Sequence, residues 1–551
     1  MLNTEMVKRN TEKDNTPKGI LPYLCPRRIF TLITNQTNST MKKFLYATLA
    51  VAAVLLFASC KNDKNQPNDQ EKADAFISFT FNLPQGGTRA EAGNVAGANA
   101  GDTFVGTADE QAIKEVRVVL YDPNEGIVKY ALTYNITATG GQAPTGDGLA
   151  DAPASAATAA NFTTKAEQVV SQDYQMLAII NPTSDVIAAT AEGKYLKDAQ
   201  AALESTVKDL SADGKAILMS NDRGLVKVAP ADMKAAAADA EGHPIKVNVD
   251  RILAKVYVGG TPDLPAGVTF SDTKWELNTT NKKTFIYRQF AQVTTGLDQF
   301  APETVDNNTD RFARYAKDPN YLAGEFNEAD FNYKKDVDVL ANEWGFEDTK
   351  GQYCLENTMD AGQQLNNQTT SFILSGTWKP ADHDGISFTK GQTWYSYMGF
   401  TFTVAKMKEY IGIVTDASKA AEKEIVGTPA GFKAALKTLV EDANSPVDKT
   451  EGTITKSFVA HNFKGYKDGV CYYQTNLIRH FNDTQSSKDM GYGRYGVVRN
   501  NIYKVTIKKI SQPGEPTIVP EKPNPDDPTK LFVAFDITIN PWIVRTQEIS
   551  L

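Results

Sequence analysis

Apolar and polar positions alternate strictly along Phe76-Ile-Ser-Phe-Thr-Phe-Asn-Leu83, with Ile77, Phe79, Phe81 and Leu83 on one face and Ser78, Thr80 and Asn82 on the other. A period of two is that of a β-strand with one buried face, and four such side chains contribute roughly 6 to 12 kcal/mol at about 1.5 to 3 each. That is comparable with the net stability of a whole domain, so this strand leaves its place only if something replaces it. Strand patterns return at 113–121, at 174–180, where a nearly continuous apolar run stops at Asn181-Pro182, and at 247–258. Residues 139–161 are rich in Gly, Ala and Pro and predict a long surface loop. Residues 195–210 place apolar side chains at 196, 199, 203, 207 and 210, the period of a helix packed on a sheet.

The second half continues with strands at 284–290, 370–378, 394–404, 456–463, 469–481 and 497–510. Many short strands with few helices predict a mainly β fold of two β-sandwich domains, which we place at 90–248 and 249–512. Pro513, Pro516, Pro520, Pro523, Pro525 and Pro528 then crowd a linker at 513–530. Such a run excludes a helix or a central strand and predicts a stiff spacer of about 3.1 Å per residue, reaching roughly 50 Å. Beyond it, 531–551 is again strand-like, and it can pair in its own sheet or in a neighbour's.

A chain of 551 residues with a formal charge of −8 has room for more than one core, and its acidity argues against nucleic acid as a partner of the folded body. Its start is unlike the rest. Lys42 and Lys43 precede the apolar run 44–57, and Ala58-Ser59-Cys60 closes it with small residues, the three parts of a secretory signal at 41–60. The run is too short to span a bilayer. Leu56-Phe-Ala-Ser-Cys60 resembles a bacterial lipobox, which implies acylation of Cys60, and a signal read from the chain start places translation initiation at Met41, with 1–40 non-structural. A propeptide, 61–89, would then carry the first strand. Directly after that strand, 84–101 is glycine-rich with Arg89 as its single basic residue, so the Arg89–Ala90 bond is an exposed target for a trypsin-like, Arg/Lys-specific protease.

Catalytic and cofactor chemistry finds little support. Gly491-Tyr-Gly-Arg-Tyr-Gly496 has the spacing of a nucleotide-binding glycine loop, but a β pattern follows where a helix N-terminus is needed, and too little chain remains for a kinase core. His243, His383, His461 and His480 show no metal-ligand spacing, and no nucleophile elbow is present, so we expect no cofactor, no metal and no enzyme activity. Cys354 and Cys471 are compatible with one disulfide or with two buried thiols.

Several stretches in a fixed order carry a family resemblance: Arg251-Ile-Leu-Ala-Lys-Val256, Cys354-Leu-Glu-Asn-Thr358, Cys471-Tyr-Tyr through Ile478-Arg-His480, Gly496-Val-Val-Arg-Asn500 with Tyr503, and the final Pro541-Trp542 segment. Together with the lipobox and the loop arginine, they make the chain similar to the fimbrillins of type V pili in Bacteroidales bacteria, above all to shaft subunits of short fimbriae. The resemblance covers 41–551. It implies transthyretin-like sandwiches and a precursor held at the outer membrane by a transient lipid (palmitate) anchor on Cys60. It further implies cleavage after Arg89, displacement of Ile77, Phe79, Phe81 and Leu83, and filling of the vacated groove by a neighbour's C-terminal strand. Trp542 and Val544 on one face, or Ile543 and Ile549 on the other, are the donor residues. Implied partners are identical subunits, accessory tip and anchor fimbrillins, the processing protease, and host or bacterial surface receptors in adhesion and virulence. The rival reading is a lipid-anchored surface protein that never polymerises, either a pilus anchor or a glycan binder with Trp275, Trp344, Trp378 and Trp394 as an aromatic platform.

Overall fold

The computed structural model describes residues 72–83, 106–151, 158, 161–201, 203–204, 206–211, 215–222, 224–289, 317–321, 326–335, 340–358, 363, 365–478, 496–524, 533–541 and 545–546. The N-terminal half contains β1 (Ala75–Ile77), β2 (Phe79–Asn82), β3 (Val116–Tyr121), β4 (Val128–Tyr134), β5 (Asn161–Thr163), β6 (Glu167–Val169), β7 (Tyr174–Ile180), β8 (Met219–Asn221) and β9 (Ile245–Arg251). Its main sheet runs β4-β3-β7-β8-β9-β2-β5, and β1 pairs separately with β6. β7 is apolar along its length because both of its faces are covered. Met176, Ala178 and Ile180 join Phe79 and Phe81 in one core, while Leu177 and Ile179 enter a second core with Leu253, Tyr257 and Ile502 of the C-terminal half.

The chain passes between halves at Ile252, where β9 gives way to β10 (Leu253–Gly259). The further strands are β11 (Thr269–Asn278), β12 (Gln352–Leu355), β13 (Ser371–Lys379), β14 (Trp394–Tyr397), β15 (Phe400–Thr403), β16 (Phe458–Ala460), β17 (Phe463–Tyr466), β18 (Val470–Leu477), β19 (Asn501–Ile510) and β20 (Val533–Pro541). One sheet runs β12-β10-β19-β20 and ends on Arg545–Thr546; the other runs β11-β13-β18 with Asn342–Glu343 on its outer edge. Val256, Val258, Val505 and Ile507 from the first share a core with Trp275, Phe372, Leu374 and Tyr473 from the second. The molecule is therefore mainly β, with sheets layered face to face.

Four expectations from periodicity are corrected. Residues 195–210 form no single helix: α1 (Leu196–Gln200) and α2 (Val207–Ser211) flank Leu203–Glu204, which pairs with Lys283–Thr284. Thr206 restarts the helix by accepting from the Asp209 amide while Asp209 accepts from Thr206, a reciprocal cap at the spacing Thr-x-x-Asp. The expected strand at 284–290 shrinks to Lys283–Thr284. Phe285, Ile286 and Tyr287 are all buried, and side chains satisfy the backbone there: Arg499 donates to the Phe285 carbonyl and Ser220 to that of Ile286. The pattern at 394–404 is a hairpin, β14 and β15, turning at Met398 and Gly399 with φ of 50° and 91°.

That hairpin opens a sheet β15-β14-β17-β16 carrying the helices α3 (Val404–Thr415), capped by the Thr403 hydroxyl, and α4 (Phe432–Glu441). Phe432 packs edge-on against Tyr410 and Phe463, an aromatic cluster continuous with the core between the two larger sheets. Lastly, the first part of the proline linker is no free spacer. Tyr472 and Glu515 exchange backbone hydrogen bonds of 2.7 and 2.8 Å, and Gln474 Nε2 donates to the Val519 carbonyl. The segment thereby covers the edge of β18, which prolines tolerate because an edge strand needs few amide donors.

Candidate functional site: the slot of the first strand

β2 lies between two strands distant in sequence, parallel to β9 in the register Phe79 to Ile245 and Phe81 to Val247, and antiparallel to β5. Its alternation is the one expected, with Ile77, Phe79 and Phe81 wholly buried and Leu83 half-buried. Ser78 interrupts the strand. Its hydroxyl donates to the Thr164 carbonyl at 2.7 Å and its own carbonyl accepts from the Ile245 amide, which shifts the chain from pairing with β6 to pairing with β5 and β9. Phe81 stacks on Phe162 with ring centroids 5.1 Å apart. On the polar face, Thr80 meets the Thr163 hydroxyl at 2.7 Å and Asn82 Nδ2 donates to Asn248 Oδ1 at 2.9 Å.

Its strand pairings are therefore with residues beyond position 160, while its apolar side chains also share a core with Val116, Val118 and Leu120 of β3. Without β1 and β2 the site is a groove with unpaired edges on β5, β6 and β9 and apolar pockets at the places of Ile77, Phe79 and Phe81. Such edges accept an extended segment by strand addition.

At the other end of the chain, β20 pairs antiparallel with β19, with Phe535, Ile537 and Ile539 opposite Ile507, Val505 and Tyr503. The strand-like terminal segment thus pairs within its own sheet, through β20 and then through Arg545–Thr546 on the outer side of β20. Trp542, Ile543, Val544 and Ile549 lie outside the described residues, as do Cys60, Arg89 and Ala90. The open cysteine question is answered: Cys354 and Cys471 are free and buried, and burial pushes both thiols up to about 12. Trp275, Trp378 and Trp394 are core residues, so they form no exposed platform.

Residues 464–548 match a fimbrillin family model. Its description is the major fimbrial subunit protein type IV, fimbrillin, C-terminal. Among solved structures, the chain is similar to a fimbrillin from Porphyromonas gingivalis (14% identity, 86% of this chain and 99% of that one, TM-score 0.35). It is also similar to a tip fimbrial protein from the same organism (11%, 84% and 99%, TM-score 0.30) and to a fimbrial assembly protein from Parabacteroides distasonis (8%, 85% and 95%, TM-score 0.28). No curated protein matches.

Three of the fimbrillin-like stretches noted in the sequence, 251–256, 354–358 and 496–500, meet at the junction of the two halves. Lys255 Nζ donates to Glu110 Oε1 at 2.7 Å, Tyr353 donates to the same oxygen, the Thr107 amide donates to Oε2, and Arg251 Nε donates to the Glu110 carbonyl. Burial alone would raise the Glu110 carboxyl, but the Lys255 charge and these donors hold it below its ordinary value. A second set places Arg499 Nε on Glu356 at 2.7 Å, Arg288 on Asp250 at 3.0 Å, and Asn500 on Asp250. In the sequence, Arg251, Lys255, Glu356, Arg499 and Asn500 stand out only through the family resemblance, and Glu110, Asp250 and Arg288 do not stand out. Arg251 and Lys255 within an otherwise apolar strand pattern were the available signal, because charges there must be paired.

Proposed function

We propose that this chain is a structural, non-enzymatic fimbrial subunit, exported and lipidated at Cys60, cut after Arg89, and polymerised at the cell surface by strand exchange into adhesive fimbriae. One observation carries the reading: a segment with three wholly buried apolar side chains pairs with β6 through β1 and sits between β5 and β9 through β2, held only by non-local partners, and the sequence places a lone loop arginine just after it. Losing the segment exposes pockets that are costly in water, and a neighbour's terminal strand restores both the ladder and the apolar contacts. Exchange of this kind is head to tail and does not close, so it gives a filament.

A second reading has its own support. With β20 engaged in its own sheet, the chain is also complete as a lipid-anchored monomer that keeps its first strand, in the manner of a pilus anchor. Under the polymer reading, the part used for exchange then lies beyond Pro541.

Brief trypsin treatment of the purified chain separates the two. Cleavage at Arg89, release of 61–89 and growth into ladders or filaments, with Arg89→Ala protein staying monomeric, supports the polymer. A stable monomer after complete cleavage at Arg89 refutes it and leaves the anchor.

A further inference from the structure

Between the strand Val226–Val228, which pairs with β7, and the start of β9 lies a segment, 229–244, that reaches from one edge of β1 to the other. On the edge away from β6, Phe76 and Lys234 exchange backbone hydrogen bonds of 2.7 and 2.9 Å. On the β6 side, Glu241 Oε1 accepts from the Ala166 amide at 3.0 Å, next to Glu167, the partner of Ile77. A short helix, Ala237–Gly242, lies between these two attachments along the chain and packs against β1. The first strand therefore has neighbours on both edges and a strap running between them. Lifting it sideways is blocked while the strap is in place, and drawing it out lengthwise would drag the wholly buried Ile77 and Phe79 through closed pockets.

The strap itself is weakly built. Residues 229–244 are rich in alanine, and Met233 is their only large apolar side chain. Met233 is buried in the core that holds Ile77 and Phe79, Ala240 is the strap's other buried residue, and the remainder are exposed or half-buried. So little burial barely offsets the chain entropy lost in ordering the segment, which is the condition for opening locally while the rest stays folded. Lys234 meets β1 through backbone groups alone, so the strap closes equally over any replacement strand without proline at the place of Phe76.

We propose that 229–244 is a gate on the slot: it opens to let the cut first strand leave and closes over the strand that replaces it. The gate rests on the exchange reading above and adds the step that controls its rate.

In the uncut chain, hydrogen exchange reads the opening directly. The hydrogen-bonded amides of Lys234, Ala240 and His243 should exchange at least about tenfold faster than those of β9, and equal protection overturns the gate. After trypsin has cut at Arg89 and been inhibited, departure of the cut strand is followed by size-exclusion chromatography with mass detection. Glu241→Ala removes the attachment to Ala166 and is expected to speed release about fivefold. Joining Glu241→Cys to Ala166→Cys through a short bismaleimide, which Cys354 and Cys471 are too buried to intercept, is expected to slow release at least about tenfold relative to the same variant capped with a monofunctional maleimide. Unchanged release in either variant overturns the gate even where the wild type polymerises. Release that follows the strap while the cut protein stays monomeric keeps the gate and refutes the polymer. A cut strand that the wild type never releases overturns both.

Discussion

Replacing either member of the Glu110–Lys255 pair tests the junction most directly. Both side chains are almost completely excluded from solvent, at 0% and 3% exposure, and the pair spans the two halves of the molecule. Lys255 also lies over the rings of Tyr257 and Tyr353 at 5.1 and 4.9 Å. Glu110→Leu strands an ammonium in this setting and Lys255→Met strands a carboxylate, and either is expected to cost about 3 to 5 kcal/mol. The double variant leaves no unpaired charge, and similar buried pairs exchanged for apolar residues are often neutral. Urea unfolding of wild type, both single variants and the double variant gives the coupling, expected at about 3 kcal/mol or more. Additive single costs, or single costs below about 1 kcal/mol, would refute a mutually dependent buried pair. The pair has a pH signature as well. Because the folded Glu110 carboxyl is held below its ordinary value, its contribution is complete above that value and is lost as pH falls through the lowered one.

Two further predictions concern particular residues. Asp318 is fully buried, and burial raises its carboxyl to about 7 despite donors from Asn320, Asn281 and Thr358. The folded state then holds the proton more tightly than the unfolded one. Its contribution is greatest below 3.8 and declines as pH rises towards about 7, so melting curves of wild type minus Asp318→Asn should show that downward slope, and parallel curves would contradict it. A Cβ at Gly514 would lie 2.2 Å from the Tyr472 carbonyl oxygen, so Gly514→Ala is expected to lift the linker from β18, cost about 1 to 3 kcal/mol and open the segment around Thr517 to Val519 to cleavage by subtilisin, which peptide mapping would detect.

What the sequence determined by itself is what local pattern encodes. Period-two alternation located β1 and β2, because a strand with one buried face must alternate whatever its partner, and short runs rich in apolar and β-branched residues located β3, β7, β13, β18 and β19. The mainly β class followed from their number. Identity of partners is not local. Nothing in 76–83 says that β2 runs parallel to β9 with β5 on its other side, yet that placement is what makes the segment a removable filler. Likewise, 195–210 kept a helical period while Leu203–Glu204 was taken by Lys283–Thr284, and the prolines of 513–524 settled on β18 because that edge needed covering. Whether Arg251, Lys255, Glu356 and Arg499 are solvated or paired depends on charges brought together from positions more than a hundred residues apart. Tertiary structure decided all of these, since pairing and desolvation energies belong to the assembled neighbours and not to any one segment of chain.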